Sequence, residues 1–176
     1  MARTSQRTCL GRTITSSAKA GPSQGSEAAP VCKMGAMSGG HRRLAFGSTT
    51  MTLLATGPDT NDSFALIDSV APNDTGRHIH EHEDEAFYVL EGMHEFEREG
   101  ETIQLGPGGF AFFPRRIPHA HRRAGDDPGR LLILITPAGF ENFFVELSDA
   151  MASGRSLDSD FYADLARRYS VTWLEP

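Results

Sequence analysis

The stretch GRHIHEHEDEAFYVLEG, Gly76 to Gly92, sets three histidines at alternate positions, follows them with three acids and closes on a short apolar run. In an extended chain residues i, i+2 and i+4 share a face, so His78, His80 and, at the end, His82 point the same way. The run that follows reads as a second strand, with Glu85, Phe87 and Val89 on one face and Ala86, Tyr88 and Leu90 on the other. Folded back as a hairpin, that strand brings one carboxylate beside two imidazoles. A solvated, charged strand end explains a single His-x-His equally well, so the reading depends on what lies elsewhere in the chain.

A second cluster lies downstream in GPGGFAFFPRRIPHAHRR. Pro107, Gly108 and Gly109 form a tight turn, FAFF reads as a buried strand, and Pro114 to Pro118 make a rigid connector leading to His119. His121 shares the face of His119. Five of the seven histidines thus fall into two strand-borne groups.

Around these groups the chain from about Phe46 is a series of short apolar or alternating runs, among them TMTLLAT, SFALIDSVA, MHEFERE, ETIQL and RLLILIT. The breaks GPDTND, APNDTG, REGE and AGDDPG carry turn chemistry. About eight strands at this spacing predict an all-β sandwich or barrel. After Thr136 the period becomes helical: Phe140, Phe143, Phe144 and Leu147 make one stripe, and Phe161, Leu165 and Tyr169 a second. Both stripes are expected to be core and not a binding site.

The net charge of -6 is unevenly spread. Residues 1–43 hold seven Lys/Arg against the single acid Glu27, and residues 44–176 hold ten against 22 Asp/Glu. An acidic domain repels nucleic acid, which is excluded as a partner. No apolar run approaches the ~20 residues of a bilayer span, and the N-terminus lacks an apolar secretory segment, so a cytoplasmic protein without membrane association is expected. Residues 1–43, rich in Ser, Thr, Gly and Ala, read as a disordered tail that contains both cysteines, Cys9 and Cys32. The expected organisation is therefore tail 1–43, barrel 44–138 and C-terminal helices 139–176 packed on the barrel.

These motifs resemble the cupins, small β-barrels of the jelly-roll type. The first cupin motif is met by His78, His80, Glu85 and Gly92, and the second by Pro107, Gly109, Pro114 and His119. Arg123 and Phe110 depart from residues often seen at those places, and neither removes a ligand. The resemblance implies a cupin jelly-roll barrel whose His78, His80, Glu85 and His119 hold one divalent transition metal, Fe, Mn, Ni, Co, Cu or Zn. Donor chemistry alone does not choose among them. Glu85 is a fourth ligand or a general base. His82 and His121 are expected behind the ligands or at the rim, and Phe87, Phe96 and Phe112, with Tyr88 or Phe113, around a substrate cavity.

The phrases EDEAFYVLEG, PRRIPHAHRR, TPAGFENFFVELS and ARRYSVTWLEP are similar to single-domain cupins related to quercetin 2,3-dioxygenase. That similarity implies a homodimeric ring-opening dioxygenase: a flavonol hydroxyl binds at the metal, Glu85 takes its proton, and O2 attacks with release of carbon monoxide. The alternatives are a non-oxidative isomerase, cyclase or decarboxylase of specialised metabolism, and a ligand-binding cupin without catalysis.

Overall fold

Among the described residues strand pairing begins at Arg42, two residues before the expected edge of the barrel. The computed structural model describes residues 41–174, so the tail expected over 1–43 lies outside the described residues up to position 40. Among the described residues eleven strands and three helices follow one another as β1 (Arg42–Phe46), β2 (Thr49–Ala55), α1 (Gly57–Thr60), β3 (Ala65–Val70), β4 (His78–His80), β5 (Asp84–Glu91), β6 (His94–Arg98), β7 (Glu101–Leu105), β8 (Phe110–Phe113), β9 (His119–Arg123), β10 (Arg130–Thr136), α2 (Glu141–Ala152), α3 (Ser159–Arg168) and β11 (Val171–Trp173).

The strands form two antiparallel sheets, one of six in the order β1-β2-β3-β10-β5-β8 and one of five in the order β11-β4-β9-β6-β7. Their inner faces enclose the core, as expected for a jelly roll. Alternation sets those faces: in β10 Leu131, Ile133 and Ile135 are buried, and in β3 Ala65, Ile67 and Ser69. Both motif glycines are required by close approach. Gly92 turns the chain from β5 to β6 at a φ of +76°, and a Cβ there would meet Gly129 Cα at 2.8 Å; one on Gly109 would meet Leu105 Cβ at 2.7 Å.

Three expectations need correction. The strands β4 and β5 are not a hairpin: β4 pairs with β9 and β11, whereas β5 pairs with β10 and β8 in the other sheet. Residues 81–83 carry the chain from one sheet to the other, so the two strands face each other across the interior. The FAFF run is only half buried. Phe110 and Phe112 are 61% and 46% exposed on the outer face, and Ala111 and Phe113 point inward. The C-terminal segment is not purely helical, because β11 adds to the edge of the five-stranded sheet, pairing Trp173 with His78 and Val171 with His80.

The two helical stripes are covered as expected, but Phe140 and Phe144, expected to be core and not a binding site, also line the cavity described below. Phe140 and Phe143, at the start of α2, and Phe161 and Leu165, on α3, are buried, and Phe144 meets Phe46 of β1 edge-on at 6.4 Å. Two carboxylates fix the helix starts. Buried Glu141 accepts from the Gly57 N–H at 2.9 Å and the Gly139 N–H at 2.5 Å, tying α2 to the connection after β2. Asp158 caps α3 by accepting from the Phe161 N–H at 3.0 Å. Among the described residues no helix is long and apolar enough to cross a membrane.

Candidate metal centre

His78 and His80 occupy the two inward positions of β4, and β9 lies alongside with His119 directly opposite His78. Glu85 reaches the same point from β5 in the facing sheet. The four side chains are 2–6% exposed, and one donor atom from each lies within 4.8 Å of all the others. The imidazole centroids stand 4.4 to 5.5 Å apart.

Backbone carbonyls decide which nitrogen of each ring faces inward. The Nδ1 of His78 contacts the Gly76 carbonyl at 2.8 Å and that of His119 the Ile117 carbonyl at 3.0 Å. A carbonyl only accepts, so each Nδ1 carries the proton and each Nε2 is turned to the cluster. His80 has no partner at Nδ1, and Glu83 Oε2 lies 3.8 Å away, also without one. The side chain of Glu83 is thus beside a candidate ligand, and burial raises its pKa.

Inside the cluster Glu85 Oε2 and His119 Nε2 are 3.2 Å apart, a hydrogen bond donated by the doubly protonated ring of His119, and Glu85 Oε2 lies 3.7 Å from His80 Nε2. Burial pushes the Glu85 pKa up, but the His119 hydrogen bond and the charges of His80, His119 and His78 outweigh it and hold the carboxyl at about 2. For His119, burial pulls the pKa down and the Glu85 hydrogen bond and charge raise it above the ordinary value. Burial dominates at His80, pushed down to about 4, and lowers His78 as well.

This donor set fits a divalent transition metal. Three imidazoles and one carboxylate are borderline N/O ligands, and two donors on opposite sides of one ion stand about 4 Å apart at bond lengths of ~2.0–2.2 Å. The spread of the four atoms is of that size. The carbonyl contacts at Nδ1 are the outer partners that metal-binding imidazoles use to fix their orientation.

A cavity of about 160 Å³ opens beside the cluster, with His78, His80 and Glu85 in its lining. Its apolar wall is Phe46, Met51, Phe87, Phe140, Phe144 and Trp173, and its polar groups outside the cluster include Thr49, Asn73, Thr75 and His121. Trp173 lies 5.0 Å from the His78 ring, and Phe140 meets His80 edge-on at 4.2 Å.

The sequence expectations divide here. His78, His80, Glu85 and His119 converge, and Phe87 and His121 line the cavity. Phe96 is buried beneath it, between Phe87 at 5.4 Å and His121 at 5.8 Å. His82 does not join the site: the strand ends at His80 and His82 is exposed. Phe112 faces outward, and its neighbour Phe113 instead stacks on His119 at 4.6 Å. Phe140, Phe144 and Trp173 were not legible as cavity wall, because a helical stripe or a strand says that a residue is covered without saying by what. Buried His94 was missed too, although its alternation with Phe96 was a signal.

Residues 67–135 match the Cupin domain family. Over 114 residues the chain is 32% identical to quercetin 2,3-dioxygenase of Bacillus subtilis (strain 168), a match covering 64% of this chain and 34% of that protein. The chain therefore spans about a third of the length of that relative. Similar solved structures include KdgF from Halomonas sp., at 21% identity, 58% of this chain, 93% of that one and a TM-score of 0.49. Another is the polyketide cyclase RemF from Streptomyces resistomycificus, at 27% identity, 55% of this chain, 74% of that one and a TM-score of 0.47. With both motifs gathered on one buried cluster between two antiparallel sheets, residues 67–135 form a cupin domain, and the chain that carries it resembles quercetin 2,3-dioxygenase.

Proposed function

We propose that the protein is a metal-dependent dioxygenase that opens a ring of a planar aromatic substrate of the flavonol class. The observation that carries the reading is the buried cluster of three histidines and one carboxylate facing an aromatic-walled cavity. A divalent transition metal held by His78, His80, Glu85 and His119 would supply the positive charge that draws a substrate oxygen and the redox chemistry that O2 requires. The chain's own residues do the rest. Phe87, Phe140, Phe144 and Trp173 hold the rings and exclude water, which strengthens every polar contact at the cluster. Glu85, kept ionised by its imidazole neighbours, accepts the proton of the substrate hydroxyl. The overall change takes one flavonol and one O2 to a ring-opened ester and carbon monoxide.

The test is elemental analysis of protein purified without a metal-affinity tag, followed by oxygen-electrode runs with quercetin on the same sample. About one transition metal per chain, O2 uptake and carbon monoxide release are expected. Quercetin consumed without O2 uptake would replace this reading with non-oxidative chemistry. The protein also reads as a homodimer, supported by exposed Tyr88, Phe110 and Phe112 on neighbouring strands, and sedimentation as a monomer at micromolar concentration would remove that part.

A further inference from the structure

Among the described residues that line the cavity outside the metal cluster, His121 is the buried side chain whose polar atoms are unmet. His121 lies two residues beyond His119 on the same face of β9, about 7 Å farther along the strand at ~3.4 Å per residue. It is 3% exposed, it lines the cavity, and neither Nδ1 nor Nε2 has a hydrogen-bond partner. Thr75 does not supply one. Its hydroxyl and its N–H are spent on the His121 backbone, with Thr75 Oγ1 accepting from the His121 N–H at 2.9 Å and the Thr75 N–H donating to the His121 carbonyl at 2.8 Å. The ring is held by packing instead: Phe87 stacks on it at 5.6 Å and Phe96 lies at 5.8 Å. The backbone is pinned and the ring faces are packed, yet its polar atoms are unmet. Buried polar atoms are rarely left so unless something that binds there meets them.

We infer that His121 is the second anchor of the bound molecule, hydrogen-bonding an oxygen substituent on a planar aromatic ligand whose first oxygen sits at the metal cluster. The inference rests on the reading of the cavity as the site of such a substrate and narrows its class. The preferred ligand carries two oxygen functions several ångströms apart, at opposite edges of a fused or linked ring system. An aromatic with the metal-binding oxygen alone leaves the imidazole unpaired, and a site built around a buried polar group discriminates against a ligand that cannot meet it.

Trp173 supplies the readout. It is the only tryptophan of the chain and lies in the cavity wall beside His78, so quenching of its fluorescence reports binding without turnover. The probes are quercetin and 3-hydroxyflavone, which share the hydroxyketone and differ in their remaining hydroxyls. They are titrated anaerobically into the full metal-loaded chain. Wild type should bind quercetin about 10-fold more tightly than 3-hydroxyflavone. His121→Phe should remove that preference with metal content unchanged, and His121→Asn, which keeps donor and acceptor, should restore part of it.

Equal binding of the two probes by wild type, or an undiminished preference in His121→Phe, overturns the inference. If His121→Phe does not fold, His121→Leu takes its place with the same two outcomes. Failure of the enzymatic reading looks different: wild type discriminates between the probes and His121→Phe does not, but quercetin causes no O2 uptake. If neither probe quenches Trp173 in wild type, both fall.

Discussion

The two sheets of this barrel present unlike inner faces to the same interior. The six-stranded sheet contributes Ile67, Phe87, Val89, Leu131, Ile133 and Ile135, with Glu85 as its buried ionisable group among the described residues. The five-stranded sheet contributes His78, His80, His94, His119 and His121, all buried, with Phe96 and Val171 among them. Aliphatic side chains there stabilise the fold by removing surface from water, at roughly 25 cal/mol per Å². Buried imidazoles return far less, because each loses hydration and must find a partner. One sheet is built to hold the barrel together, and the other holds chemistry that the first makes tolerable.

Four experiments break or sharpen that division. The largest effect is expected for His80→Ala, which removes a donor from the centre of the cluster: metal content should fall from about one ion per chain to near none, by elemental analysis. Retention of the metal would show that the histidine face is not the ligand set. Leu131→Ala, at a fully buried site in the opposite sheet, should cost about 2–5 kcal/mol in urea unfolding while metal content stays unchanged. Loss of metal from a folded Leu131→Ala protein would erase the distinction.

The third experiment is a pH series on chelator-stripped protein. His80 and His121 are both pushed down to about 4, mainly by burial, so between the ordinary histidine value of 6.5 and about 4 the unfolded chain binds protons that the folded chain does not. Stability should then fall as pH drops through that window. His119, raised above 6.5, acts in the opposite sense, its contribution being complete below 6.5 and lost as pH rises through its folded value. Glu85, held at about 2, adds a loss only below its ordinary value of 4.5. A melting temperature that is flat from pH 6.5 to 4 would mean that the imidazoles are not buried in the neutral form. The smallest effect is expected outside both sheets. Asp158→Ala should cost about 1 kcal/mol for the lost cap of α3, with metal content and flavonol affinity unaltered.

The sequence carried the ligands better than the path that brings them together. His78 and His80 follow from strand periodicity, and Glu85 and His119 from the spacing of the two motifs. That Glu85 arrives from the opposite sheet was hidden, since a break of three residues between strands looks like a hairpin turn, and the partners of β4 lie some forty and ninety residues away in β9 and β11. The inward choice of Phe113 over Phe112 was equally illegible, because a run of FAFF has no polar residue to mark which positions face water. For Phe140 and Phe144 the helical period showed the covered face correctly. What it could not show is that the surface underneath is a hollow.

Residues 67–135, the part that matches the cupin family, include all four candidate metal donors, whereas Phe140, Phe144 and Trp173 come after it and supply much of the cavity wall. The candidate donors and much of the cavity wall therefore lie on separate lengths of chain, although Phe87 and His121 of the earlier part line the cavity too. Substitutions at Phe140, Phe144 or Trp173 can thus reshape the cavity while every candidate donor is retained, and because Trp173 and Phe140 lie against His78 and His80, a change of size there also reaches the cluster. A redesign that keeps the pairing of β11 with β4, which carries His78 and His80, and varies only the side chains at 140, 144 and 173 would follow the same division.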